Sequence, residues 1–93
     1  MIRVKILGTK SPQRYAVRRA VVAAGEELRT AFPHAEMDIC EVRRSEDIAA
    51  YTPIFIYPSL VVNERLVCKG RFPKKVEVAQ WLRQALEEEL NEI

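Results

Sequence analysis

Val4-Lys5-Ile6-Leu7-Gly8-Thr9-Lys10-Ser11-Pro12-Gln13-Arg14 is the stretch on which the fold turns. Its first half continues an alternation in which Ile2, Val4 and Ile6 are apolar while Arg3 and Lys5 are charged. That is the period of a strand with one buried face, ending at Gly8. In its second half Ser11 reads as a helix N-cap and Pro12 as the first helical residue, where the missing N–H is harmless. Val17, Val21, Ala24, Leu28 and Phe32 then recur at helical spacing. The spacing predicts a helix to about Ala31, ended by Phe32-Pro33-His34. Gly25 inside that helix is a local weakness of ~1 kcal/mol relative to alanine.

Downstream the period switches back. Residues 37 to 42 read as a second strand, with Met37 and Ile39 on one face and Cys40 and Val42 on the other. Ser45-Glu46-Asp47 opens a short helix through Tyr51, with its acids at the favourable end, and Pro53 stops it. Residues 54 to 62 form an apolar, β-rich run. A proline inside such a run belongs at a strand's first residue, so the strand begins near Pro58. Asn63-Glu64-Arg65 turns the chain into a hairpin partner at Leu66 to Lys69. Asn63-Glu64 stands where a tight hairpin prefers Asn-Gly, which predicts a longer or strained turn. Gly70-Arg71-Phe72-Pro73 leads into a last helix with an apolar stripe of Val78, Leu82, Ala85, Leu86 and Leu90. Trp81 beside that stripe reads as partly buried core. Glu87-Glu88-Glu89 and Glu92 lie at the helix's negative end and read as a frayed, solvated tail.

The elements therefore run strand, helix, strand, helix, strand, strand, helix. A right-handed crossover makes the first two strands parallel. The class is α/β, a four-stranded mixed sheet with helices on both faces.

Composition agrees with a single domain over residues 1–93. The chain has 48% hydrophobic and 30% charged residues, which suits a folded domain. No apolar run approaches the ~20 residues of a membrane helix, so no membrane role is expected. The alternating start lacks the apolar centre of a signal peptide, which predicts a cytoplasmic protein. A net charge of +2 is too balanced to argue for nucleic acid. One histidine and two separated cysteines, Cys40 and Cys68, exclude a zinc site and a stapled secreted fold. No C-x-x-C, G-x-G-x-x-G or P-loop occurs, and no metal or cofactor is expected.

Three stretches carry a likeness to a known family: Val4-Lys5-Ile6-Leu7-Gly8-Thr9, Pro58-Ser59-Leu60-Val61-Val62-Asn63 and Gly70-Arg71-Phe72-Pro73. With the element order, they make the chain resemble the small thioredoxin-like and glutaredoxin-like redox-active disulfide proteins of the thioredoxin fold. The resemblance implies a βαβ-α-ββα order with sheet order 2-1-3-4. It also implies a cis Tyr57-Pro58 bond facing the site. In that family a C-x-x-C opens the first helix. Here the matching residues are Ser11-Pro12-Gln13-Arg14, so Ser11 stands for the nucleophilic cysteine and Arg14 for the resolving one. A hydroxyl does not exchange with a disulfide and a guanidinium does not resolve one, so this site lacks the dithiol chemistry. Cys40 and Cys68 do not replace it. By that sheet order they lie on opposite edges, ~14 Å apart at ~4.8 Å per strand, beyond the ~7 Å limit for a disulfide.

Two readings of the site follow. In the first, residues 9 to 15 with Tyr57 and Pro58 keep the groove and hold a protein partner, without catalysis. Phe55 and Phe72 would form its apolar rim. In the second, the helix end with Thr9, Lys10, Ser11, Gln13 and Arg14 binds a small anion or thiol ligand, or Cys40 or Cys68 acts as a single-thiol centre. Lys10, Arg14 and Arg18 otherwise read as solvated cations, with Arg14 and Arg18 repelling mildly at four-residue spacing. The chain is expected to be a monomer or weak homodimer.

Overall fold

The computed structural model describes residues 1–51 and 58–91. Four strands form one sheet of order β2-β1-β3-β4: β1 (Ile2–Leu7), β2 (Met37–Val42), β3 (Ser59–Val62) and β4 (Arg65–Cys68). β1 pairs parallel with β2, from Ile2 opposite Met37 to Leu7 opposite Val42. It pairs antiparallel with β3, which pairs antiparallel with β4. The helices are α1 (Ser11–Leu28), α2 (Ser45–Ile48) and α3 (Lys75–Asn91). Both the element order and the 2-1-3-4 sheet expected from the sequence are present. No helix among the described residues is long and apolar enough to cross a membrane.

Alternation along β1 and β3 divides the interior in two. Ile2, Val4 and Ile6 of β1 join Leu60 and Val62 of β3 under α1 and α3. Val17, Val21, Ala24 and Leu28 of α1 and Val78, Leu82, Ala85 and Leu86 of α3 close over them. This is the large core. On the other face Leu7, Val61 and Ile48 make a second, smaller cluster, flanked by Val42, Tyr51 and Leu66. The four-residue α2 exists to deliver Ile48 to it. Each fully buried aliphatic side chain here contributes about 1.5–3 kcal/mol by leaving water. A register irregularity between Leu60 and Val61 makes β4 bulge, so that Val67 and Cys68 both pack toward the large core while Leu66 packs toward the small one. Trp81 is half-buried against the large core, as its position beside the stripe suggests.

Four local expectations are corrected. Lys10, in extended backbone, caps α1, and Ser11 is its first helical residue. The Ser11 hydroxyl accepts a hydrogen bond from Arg14. α1 ends at Leu28, three residues early; the Ala31 and Phe32 amides both turn back to the Leu28 carbonyl, at 3.2 and 2.8 Å. The hairpin turn is a tight two-residue one, with Asn63 and Glu64 at φ 47° and 67°. That left-handed geometry is a type I′ pair without glycine. It is held because Asn63 exchanges two bonds with Arg3, N–H to carbonyl and Oδ1 to amide, both 2.8 Å. Glu64 also accepts a 2.6 Å bond from Lys5, which donates to Tyr51 as well. Lastly, Glu87, Glu88 and Glu89 are still helical, since α3 runs to Asn91, and Glu88 accepts from Arg65 at 3.0 Å; Glu92 lies outside the described residues.

Gly25 has a packing role. A Cβ there would meet the terminal methyl of Met37 at 2.8 Å, the loose end of a flexible side chain. Gly25→Ala is therefore expected to displace Met37 slightly and to gain most of the ~1 kcal/mol of helix propensity, read as a raised Tm. A lowered Tm would show that Met37 is fixed.

Candidate functional site

The site lies where β1 gives way to α1. Gly8 closes the strand, its amide donating to the Val42 carbonyl at 3.1 Å. Thr9 and Lys10 bridge to the helix and are exposed, as are Ser11 and Pro12 at its start. Arg14, one turn on, is 7% exposed. It is not a solvated cation. Its Nη1 donates to the Gly8 carbonyl at 2.9 Å, its Nη2 to Ser11 Oγ at 3.0 Å and its Nε to Glu41 Oε1 at 2.9 Å. The other carboxylate oxygen of Glu41 accepts from Arg18 Nη1 at 3.0 Å. Arg14 and Arg18 therefore share one counter-charge on β2, and the repulsion expected from their spacing is cancelled.

Alternation along β2 makes this possible. Glu41 falls on the same face as Met37 and Ile39, the face covered by α1. Burying a guanidinium is unfavourable unless its donors are met and its charge is opposed. Here a carbonyl, a hydroxyl and a carboxylate meet the fork's three directions. Gln13 is in the opposite condition: its Oε1 is buried at the same end and has no hydrogen-bond partner among the described residues. An unmet buried acceptor costs about 1–3 kcal/mol, and an N–H from a bound molecule would relieve it.

On the other side of β1 from β2, the start of β3 pairs with the strand's end, Ser59 opposite Leu7. Pro58 is buried beside Ser59. Tyr57, Phe55 and the Tyr57-Pro58 bond lie outside the described residues. The Gly70 amide donates to Ser59 Oγ at 3.4 Å, and the Cys68 thiol donates to the Arg71 carbonyl at 3.5 Å. These two bonds tie the loop before α3 to β3 and β4. Arg71 then grips Glu77 through both guanidinium arms, at 2.8 and 2.7 Å, and Glu77 also accepts the Lys74 amide at 3.1 Å. The Arg71 guanidinium and that amide hold the Glu77 carboxyl down at about 2. Within this framed loop Phe72 is 55% exposed, and Tyr15 on α1 is 65% exposed.

The thiols lie apart, on the two edge strands, as expected. Cys40 on β2 is exposed and Cys68 on β4 is buried; neither is in a disulfide. Burial pushes the Cys68 thiol up, so it stays protonated near neutral pH. No group of His, Cys, Asp and Glu among the described residues could hold a metal.

Sequence reading missed Glu41 as the partner of Arg14, because the two are 27 positions apart. The available signal was a lone acid on the helix-covered face of β2.

Two outcomes are expected. Glu41→Gln leaves the Arg14 guanidinium without its counter-charge and lowers stability by roughly 1–3 kcal/mol in urea unfolding, between the values for exposed and fully buried pairs. Alkylation of the native protein modifies Cys40 and reaches Cys68 only on unfolding, as mass spectrometry of the labelled chain would show.

No curated protein matches the sequence. Residues 2–83, which span all four strands, α1, α2 and the first half of α3, match the model of the thioredoxin domain family, and the chain belongs to that family.

Proposed function

We propose that this chain is a thioredoxin-fold binding module that runs no dithiol cycle and holds a protein partner at the former substrate groove. One observation carries the reading. Arg14, at the place of the family's resolving cysteine, is built into the frame by Gly8, Ser11 and Glu41. A residue so committed is a support and not a reactant. Ser11, at the place of the nucleophile, spends its hydroxyl on that support.

Around this inert centre the features of a binding surface persist. Tyr15 and Phe72 expose aromatic area, the kind of side chain that anchors interfaces. Thr9 and Lys10 are exposed just before α1, and Gln13 Oε1 lacks a donor among the described residues. By resemblance, Tyr57 and Pro58 would complete the groove and offer backbone to an extended segment. The reading with a small anion or thiol ligand is left with Lys10 and the amides of the first turn, because Glu41 holds both Arg14 and Arg18.

The test has two arms. Reduction of an insulin disulfide with dithiothreitol as donor is expected to run no faster with the protein than without it; turnover comparable to a dithiol thioredoxin would refute the proposal. Affinity capture under reducing conditions is expected to recover a stoichiometric partner with the wild type. Lys10→Glu combined with Tyr15→Ala and Tyr57→Ala should lose it, and equal recovery by the variant would move the binding surface elsewhere.

A further inference from the structure

The two edges of the sheet are built differently. β4 has four residues and a bulge, devices that discourage pairing with another strand. β2 has six residues in unbroken register with β1, and contains no proline and no lysine. The Ile2 amide donates to the Glu36 carbonyl and the Gly8 amide to the Val42 carbonyl. Even-numbered residues of β2 thus turn their backbone groups inward, and Met37, Ile39 and Glu41 present theirs outward.

The charge along this edge is ordered. Glu36 and Asp38 lie at its start, and Arg43 and Arg44 at its end, all exposed. Arg44 is still extended, at φ −92° and ψ 136°. Such a strand is complementary to itself run backwards. We propose that a second copy of this chain pairs with it, β2 antiparallel to β2, about a two-fold axis through Cys40.

The register follows from the charges. With Cys40 opposite Cys40 of the second copy, Glu36 stands opposite Arg44, Asp38 opposite Val42 and Ile39 opposite Glu41, and no like charges meet. Asp38 is also diagonal to Arg44, within reach of a long side chain. Moving the axis to Asp38 or Glu41 sets acid against acid, and moving it to Ile39 leaves no opposed charge pair. In the chosen register Cys40 occupies a non-hydrogen-bonded position, with Cα atoms ~4.5 Å apart, inside the range a disulfide spans. Beside the edge, α1 lines a groove with Val22 and Glu26 against Met37 and Ile39. Val22, 40% exposed, is apolar surface that a second α1 would cover. The result is one continuous eight-stranded sheet.

Sedimentation equilibrium in reducing buffer is the first measurement, and a concentration-dependent dimer is expected. Ile39→Pro removes an outward amide but no bond to β1, so a folded monomer by circular dichroism is expected. Glu36→Arg with Asp38→Arg should weaken the dimer roughly tenfold or more, and adding Arg43→Glu with Arg44→Glu should restore it. Diamide, which takes two electrons and two protons from a pair of thiols, should link wild type and Cys68→Ser into covalent dimers but not Cys40→Ser. A chain that stays monomeric at every concentration overturns the proposal, even if it takes up an extended peptide on this edge. So does a dimer that withstands both the proline and the charge reversal.

Discussion

A single buried guanidinium sets the geometry where β1 gives way to α1. Arg14 binds the last carbonyl before the β1–α1 loop, the first residue of α1 and a carboxylate on β2. The end of α1 is thereby fixed against the β1–β2 pair in angle as well as distance, since apolar burial is non-directional and a forked donor is not. Arg14 acts here as a strut. The exposed residues around it, Thr9, Lys10 and Tyr15, are held on a rigid base and do not depend on a bound partner for their positions.

The two faces of the sheet divide the work unevenly. The face under α1 and α3 carries most of the apolar burial and most of the stability. The opposite face rests on Leu7, Ile48 and Val61, and its margin is polar. Lys5 stands there between Tyr51 and Glu64, donating to both and lying 4.8 Å from the Tyr51 ring centroid. The hydrogen bonds it donates to Glu64 and Tyr51 raise the Lys5 pKa, keeping it charged. The same lysine thus tethers the end of the short helical segment to the hairpin turn.

Much of this was legible in the sequence, for a physical reason. Alternation in β1 and the 3.6-residue stripes of α1 and α3 report which face is buried, and burial is local to each element. The sheet order followed from the family likeness, and the edge positions of Cys40 and Cys68 with it. What escaped was whatever depended on a partner distant in sequence. Arg14 looks like any surface cation until Glu41 is folded against it. Asn63-Glu64 looks wrong for a tight turn until Arg3 and Lys5 arrive to hold it. In each case local propensity was overruled by one or two polar contacts made only in the folded chain.

The strut has a consequence for substitution. Suppose a cysteine were placed at position 14 by mutation. It would arrive beside Glu41, whose negative charge opposes a thiolate, and it would strip the Gly8 carbonyl and the Ser11 hydroxyl of their donor. Placing sulfur at this helix end therefore breaks the polar joint between α1, the Gly8 carbonyl and β2, and any thiol here would sit in a less stable protein.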